Sequence, residues 1–426
     1  MKKSIHGIAL LLITAMLLMM CSFPALAEEP VTLTFWCSYN EADTTSISAD
    51  WIKEAIAKFE EAYPNVTLEV VNTADGDDYL TKVTAELAAG NTPDMFRTWL
   101  TGRLQPFVEA GYVYPLNELV DNSEVLSQTV SEECRAYSSY GDENFYAIPL
   151  LASAEVIFYN KTIFEECGVS VPTTLEEFYA ACEAIQAKGY TPIAMGGADA
   201  WFSAIPYMTI FQRLDEDSTV YNQVCVNNEC NFDAEIFVQA SEEYLKMAQY
   251  FNDNATSINT GEAMAMFQNG EAAMIFDGTW SLNTYVTTLG DACGAFNLPG
   301  TDGPSTEFLM NYDEGYSIGA NTEHPELCIA FYEILFGQEM QAKYAEAGNL
   351  IACQNIEYDS EKIPALTNEA AELLATATET NIPWDNPLGT NMGTEFNMAV
   401  QSVLGGADPA ETFLMLNDTA SFEWDY

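Results

Sequence analysis

The run VTLEVVNTADGDDYLTKVTAELAAGNTPDMF (residues 66–96) decides the class of fold. Residues 66–71 alternate apolar and polar side chains, as a half-buried strand does. Residues 79–89 carry apolar side chains at helical spacing, and Gly90 follows as a helix-ending residue. Residues 94–96 then begin a second strand. A strand, a helix and another strand at this spacing predict parallel pairing.

The residues before this run extend the same alternation. Residues 31–36 read as a buried strand, and residues 51–63 form an apolar helical face that Pro64 ends. The order strand, helix, strand, helix, strand predicts an α/β lobe with a parallel sheet.

A second α/β region follows this lobe. Residues 145–159 form a long extended run interrupted by Pro149, which suits a passage between lobes. Thr174 precedes a helix to residue 188 in the manner of a capping box, and residues 272–276 read as a buried strand. Residues 316–320 look like a strand that returns to the first lobe.

The chain length also favours two lobes, because 426 residues exceed one ordinary core. We predict lobe 1 at residues 31–148 with a return segment at about 315–340. Lobe 2 is predicted at residues 149–312 with a C-terminal helical segment at about 341–426. Since no flexible linker separates them, a hinge is expected.

The N-terminus has the three parts of a secretory signal peptide. Lys2 and Lys3 precede an apolar run at residues 8–20, and Ala25-Leu26-Ala27 forms a cleavage site. We therefore assign residues 1–27 as the signal and expect an exported, extracytoplasmic protein. A lipid anchor at Cys21 is the alternative, less favoured because no small residue precedes that cysteine.

Composition excludes several classes of function. The chain has 64 acidic and 14 basic residues, a formal net charge of −50, which argues against nucleic acid, anionic lipid and strongly anionic ligands. Only His324 remains after the signal, so we expect no metal site, no cofactor and no histidine-based catalysis. Cys225 and Cys230 are close enough for a local disulfide, but free thiols suit the scattered cysteines equally.

Five tryptophans lie at element ends or in loop-like contexts: Trp36, Trp99, Trp201, Trp280 and Trp384. In α/β folds ligands bind beyond the carboxyl ends of strands, so an aromatic ring there can face a cleft. A sugar ring presents a C–H face to an aromatic ring and hydroxyls to neighbouring polar groups. The tryptophans and the Asp, Asn, Glu and Thr beside them therefore favour a carbohydrate ligand.

The segment FQNGEAAMIFDGTWSL (residues 267–282) resembles the signature of family 1 extracellular solute-binding proteins, the maltose-binding-like receptors of ABC sugar importers. Three further matches follow the family's order. Residues 93–96 are similar to its strand before a pocket aromatic, residues 146–161 to its first interlobe crossing, and residues 172–178 to its Pro-x-Thr-Trp-Glu-Glu-Phe motif, with Leu175 in place of Trp. The resemblance covers nearly all of residues 31–420.

This resemblance implies a type II periplasmic-binding-protein fold, with two α/β lobes around a hinged cleft, and no catalysis. It also implies a small carbohydrate ligand, an ABC transporter permease as partner and a monomeric chain. The residues it places at the ligand are Tyr39, Asn40, Glu41, Trp99, Trp201, Asp277, Gly278, Trp280 and Trp384.

Two alternatives stay open. The same fold can bind a polyamine, a peptide or an osmolyte, because an acidic cleft with aromatic rings also suits a cation. A secreted glycoside hydrolase also lines its cleft with Trp and uses two carboxylates, but we find no pattern of eight strand–helix units here.

Overall fold

The structure is a computed structural model that describes residues 29–39, 47–73, 76–312 and 314–424. Its strands are β1 Val31–Cys37, β2 Val66–Asn72, β3 Met95–Trp99, β4 Ile148–Pro149, β5 Ser153–Asn160, β6 Thr191–Ala194, β7 Ala272–Gly278, β8 Cys293–Phe296, β9 Glu307–Asn311, β10 Glu314–Ile318 and β11 Glu379–Asn381. The predicted signal peptide and Cys21 lie outside the described residues.

The α-helices are α1 Ser48–Ala62, α2 Gly76–Ala88, α3 Gln105–Glu109, α4 Asn117–Asn122, α5 Leu126–Thr129, α6 Glu132–Ala136, α7 Lys161–Cys167, α8 Leu175–Ala187, α9 Ala200–Leu214, α10 Thr219–Tyr221, α11 Glu235–Met247, α12 Thr260–Gln268, α13 Leu282–Leu289, α14 Pro325–Leu335, α15 Gln338–Glu346, α16 Ala365–Leu374, α17 Gly389–Leu404 and α18 Pro409–Glu423. Short 3₁₀ turns follow β3 and β7, at Thr101–Arg103 and Thr279–Ser281.

The first lobe is built on a five-stranded sheet in the order β2-β1-β3-β10-β4. β1 runs parallel to β2 and β3, and β10 is antiparallel to β3 and β4. The apolar residues of β1 point to one face, where the ring of Phe35 lies 5.2 Å from that of Phe331 in α14. The parallel α/β arrangement predicted for the N-terminal part is confirmed.

The second lobe contains a six-stranded sheet in the order β11-β9-β5-β7-β6, with β8 also paired to β5. β5 and β7 are antiparallel neighbours and are buried along their whole length. Helices α9, α11 and α17 pack beside this sheet and contribute Tyr207, Phe237 and Phe396 to one continuous core. Two α/β lobes are therefore present, as the fold prediction required.

The chain passes between the lobes at three places within the described residues. Residues 150–152 join β4 of the first sheet to β5 of the second, and two residues separate β9 of the second sheet from β10 of the first. The backbone N–H of Leu150 donates to the carbonyl of Glu314 at 2.8 Å, which ties these two crossings together. Asp313 lies outside the described residues.

The third crossing lies later than the predicted boundary at residues 340–341. Helix α15 belongs to the first lobe, since the ring of Tyr344 lies 4.5 Å from that of Trp51. Ile356 still packs against the first core, whereas Leu366 belongs to the second. The boundary prediction is corrected accordingly, because a helical pattern in sequence does not specify which of two cores its apolar face meets.

Of the two states considered for Cys225 and Cys230, the structure shows free thiols. Cys225 is buried, and the half-buried Cys230 accepts a hydrogen bond from the hydroxyl of Ser421 at 3.5 Å.

Candidate ligand-binding site

A cavity of about 730 Å³ lies between the two lobes. The lining from the first lobe includes residues that lie in or follow β3, and the lining from the second lobe includes the start of β5, the turn after β7, the end of β9 and the start of α9. A volume of this size suits a small organic ligand rather than a single ion. The cavity is therefore the candidate site.

Trp201 and Trp280 form the aromatic corner of the cavity on the second lobe. Trp280 lies in the 3₁₀ turn directly after β7, and Trp201 is the second residue of α9. Their ring centroids are 6.2 Å apart with an interplanar angle of 62°, so the two rings meet edge to face. Both rings are half-buried and line the cavity.

Gly278 allows Trp280 to take this position because it has no side chain. A Cβ atom at Gly278 would lie 2.2 Å from the indole ring, so the ring packs directly on the glycine backbone. Gly278 itself does not line the cavity. It acts as a support for the aromatic corner, because any larger residue would push the indole away.

Trp99 faces the cavity from the first lobe, at the end of β3. The guanidinium of Arg97 lies 4.6 Å from the Trp99 ring centroid and that of Arg103 lies 5.9 Å from it. These cation–π contacts hold the indole on the first-lobe wall of the cavity. Aromatic rings from both lobes therefore line one cavity.

The charged side chains of the cavity are arranged mainly in pairs. Arg97 pairs with Glu314, and Arg103 pairs with Asp385 at 2.8 Å. Asp199 accepts a hydrogen bond from the backbone N–H of Thr260 at 2.7 Å. Because both guanidinium groups are already paired with carboxylates, the described residues that line the site offer no unpaired cation to an anionic ligand.

Several buried polar atoms of the lining lack a hydrogen-bond partner among the described residues. They are Nη1 of Arg97, Oγ1 of Thr260, both amide atoms of Asn311 and Oδ1 of Asn397. A buried polar atom without a partner costs about 1–3 kcal/mol, so natural proteins keep such atoms where a ligand or water satisfies them. The set contains both donors and acceptors and suits a ligand rich in hydroxyl groups.

The structure brings three of the predicted site residues together at the cavity: Trp99, Trp201 and Trp280. Their direct contact with a ligand stays a prediction. Asn40 and Glu41 lie outside the described residues.

Three other predicted residues lie in the protein interior, which corrects their assignment. Tyr39 is 8% exposed in the core of the first lobe, where its backbone N–H donates to Asn72 at 3.0 Å. Trp384 is 1% exposed and stacks on Phe396 at 5.2 Å. The reason is packing in both cases, since Tyr39 belongs to the core of the first lobe and Trp384 to the core of the second.

Asp277 is the third interior residue. Its carboxylate accepts hydrogen bonds from the hydroxyl of Tyr285 at 2.7 Å and from the backbone N–H of Gly278 at 2.8 Å. Burial raises the pKa of Asp277 to about 6, and the hydrogen bonds from Tyr285 and its neighbours oppose that rise. Asp277 therefore anchors the end of β7 instead of contacting the cavity.

Sequence reasoning missed the polar lining. Asp385 and Asn386 line the cavity, although the predicted site residue just before them, Trp384, does not. Arg97 and Arg103 lie on either side of Trp99 in a chain with only 14 basic residues. Two arginines so close together in such an acidic chain could have indicated that they belong to the site. Asn311 carried no signal, because nothing in its local sequence separates it from other asparagines.

The described residues contain no cluster of three or more His, Cys, Asp or Glu side chains suited to a metal ion. Over the same part of the chain, every helix is too short or too polar to cross a membrane.

Comparison with known proteins agrees with this geometry. A family model described as bacterial extracellular solute-binding protein matches residues 42–342. A multiple sugar-binding protein of Streptococcus mutans is 24% identical over 373 residues, which cover 84% of this chain and 84% of that protein.

Solved structures show the same fold. A protein from a study of xylan utilization by the thermophilic bacterium Caldanaerobius polysaccharolyticus has a TM-score of 0.81 at 26% identity, covering 91% of this chain and 99% of the other. A chitin oligosaccharide binding protein has a TM-score of 0.84 at 22% identity, covering 92% and 98% of the two chains, and supports the fold alone.

Proposed function

Because the chain belongs to the bacterial extracellular solute-binding protein family, we propose that it captures a neutral carbohydrate between its lobes and delivers it to an ABC transporter permease. The observation that carries this proposal is the placement of Trp99, Trp201 and Trp280, from opposite lobes, on one cavity. The multiple sugar-binding protein of Streptococcus mutans, which is similar over 84% of this chain, supports it.

The physical basis of capture is the combination of aromatic rings with buried polar atoms. An aromatic contact contributes on the order of 1 kcal/mol beyond the area it buries. A ligand hydroxyl that satisfies a buried polar atom removes a further cost of about 1–3 kcal/mol. Together with the apolar area buried on the indole rings, such contacts have to offset the ordering costs before micromolar affinity, about −8 kcal/mol, is reached.

Charge favours a neutral ligand over an anion. The two cavity arginines are paired with Glu314 and Asp385, so an incoming anion would have to displace a carboxylate. The chain's net charge of −50 adds a field that repels anions. The transport role follows from the family, and we further propose that the protein is exported, acts as a monomer and catalyses no reaction.

A polyamine is the second candidate, because the cavity lining holds four carboxylates against two guanidinium groups: Glu155, Asp199, Glu314 and Asp385 against Arg97 and Arg103. A bound cation would compete with salt, whereas a neutral sugar would not.

Titration calorimetry at two salt concentrations separates these candidates. We would titrate the protein with xylotriose, N,N′-diacetylchitobiose, raffinose and spermidine at 50 mM and 500 mM NaCl. Salt-independent binding of one of the sugars is the expected result. Binding of spermidine alone, weakened by salt, would contradict the carbohydrate proposal, and cleavage of a sugar during overnight incubation would contradict the absence of catalysis.

A further inference from the structure

Asn311 combines a fixed backbone with an unsatisfied side chain. It is the last residue of β9, is 5% exposed and lines the cavity. Its Cα is paired with Ser153 of β5, and the hydroxyl of Ser153 donates to its carbonyl at 3.1 Å. Among the described residues, neither the amide oxygen nor the amide nitrogen of its side chain has a hydrogen-bond partner.

Another buried asparagine of the same lobe shows what a structural role looks like. The side-chain oxygen of Asn252 accepts from the backbone N–H of Met195 at 2.7 Å, and its nitrogen donates to Met195 and to Asn254. Asn252 is 7% exposed and lies outside the cavity lining. The amide of Asn311 makes no such contribution to folding, so its polarity requires a different explanation.

The chemistry of the carboxamide indicates what Asn311 can recognise. Its oxygen accepts a hydrogen bond and its nitrogen donates one, and the two atoms are side by side. Two hydroxyl groups on neighbouring carbons of a sugar ring present a donor and an acceptor at matching separation. An ion or a purely apolar ligand would satisfy one of the two amide atoms or neither.

We propose that Asn311 is a specificity-determining residue that binds a pair of adjacent hydroxyl groups on the carbohydrate. This inference rests on the proposed function. The amide oxygen accepts the hydrogen of one hydroxyl, and the amide nitrogen donates to the oxygen of the next. A ligand in which either hydroxyl is absent or methylated leaves one buried amide atom unpaired and binds more weakly.

The first arm of the test measures the ligand-free protein. Asn311→Leu keeps the approximate side-chain volume and removes both polar atoms, and we expect its Tm to equal or exceed that of wild type. The matched control, Asn252→Leu, removes an amide that the fold uses, and its Tm should fall by several degrees. If that control does not accumulate, Asn252→Asp replaces it. A Tm for Asn311→Leu as depressed as the control's overturns the proposal, because it would show a structural role.

The second arm measures binding of whichever of xylotriose, N,N′-diacetylchitobiose and raffinose the wild type binds. We expect Asn311→Leu to weaken binding at least tenfold, and Asn311→Asp, which keeps only acceptors, to weaken it less. Mono-deoxy analogues of the same sugar should include one that wild type binds at least tenfold more weakly and that Asn311→Leu binds like the parent.

The outcomes are distinguishable. Unchanged affinity of a correctly folded Asn311→Leu variant, for a sugar that wild type binds, overturns the role of Asn311 and leaves the proposed function standing. If wild type binds none of the three sugars, the proposed function is overturned, and the recognition of hydroxyl pairs with it.

Discussion

The guanidinium of Arg103 in the first lobe lies 2.8 Å from the carboxylate of Asp385 in the second, so an ion pair joins the two walls of the cavity. Both side chains are mostly buried, and Asn397 also donates to Asp385 at 3.0 Å. Beside the pair, a Cβ at Gly102 would lie 2.4 Å from the carbonyl of Pro387. The lobes are therefore in direct contact, which is a closed arrangement.

Loss of this ion pair should open the ligand-free protein. Arg103→Met leaves the buried Asp385 without its cation in the closed state, whereas opening exposes that carboxylate to water. We expect a larger radius of gyration by small-angle X-ray scattering. Arg135→Met is the matched control, because Arg135 pairs with Asp121 inside the first lobe. Identical scattering from wild type and both variants would show that the pair does not hold the lobes together.

Removal of the Trp280 ring should weaken sugar binding without unfolding the protein. The ring is half-buried at the cavity, so Trp280→Ala removes a surface on which a sugar ring stacks but leaves the core of the lobe in place. The lost stacking should lower the binding free energy by about 1 kcal/mol or more. We expect at least a tenfold rise in Kd by calorimetry and a single cooperative melting transition. Trp36→Ala is the control, since Trp36 is half-buried but does not line the cavity. Equal Kd values for both variants would remove Trp280 from the site.

Removal of the Trp384 ring, in contrast, should act mainly on the stability of the fold. Trp384 is 1% exposed and packs against Phe211, Phe237 and Phe396. Trp384→Ala leaves a large cavity in this core and should lower the free energy of unfolding by about 3–5 kcal/mol in urea titrations. A variant of wild-type stability with lost sugar affinity would restore Trp384 to the ligand site.

Titration of Asp277 should make stability depend on pH below neutrality. Its folded-state pKa of about 6 lies above the ordinary 3.8, so the native protein holds this proton more tightly than the unfolded chain. The free energy of unfolding should therefore fall as pH rises from about 4 to about 6, by on the order of 3 kcal/mol for this group, and change little above that range.

Asp277→Asn removes this titration and isolates its effect from the many other acidic groups. The difference in Tm between wild type and variant should favour wild type most at about pH 4 and should shift towards the variant by pH 7. A difference that stays constant over this range would show that the buried carboxyl does not titrate as described.

The regular elements could be predicted from local patterns. Residues 31–36 were expected as a strand and residues 51–63 as a helix, and the structure has Val31–Cys37 and Ser48–Ala62. Alternation and helical spacing are properties of neighbouring residues, so they are legible without knowing the fold. The same holds for the motif that precedes Trp280, whose strand and glycine lie beside it in sequence.

The direction of each loop aromatic could not be predicted in this way. Trp280 and Trp384 both follow short turn-like sequences, yet one lines the cavity and the other stacks on Phe396. Local sequence indicates that an aromatic residue lies near the end of a strand. The residues that pack on the faces of its ring belong to helices far away along the chain, so local sequence does not specify them.

The sequence by itself was enough to predict two α/β lobes, membership of a family and a binding site with aromatic residues. This was possible because strand and helix periodicity and short motifs are encoded in neighbouring residues. Only the tertiary structure decided that Arg103 meets Asp385, 282 residues later, and that Asn311 reaches the cavity with its amide unpaired. The physical reason is that pairing and desolvation depend on distances through space, which become defined when the two lobes pack against each other.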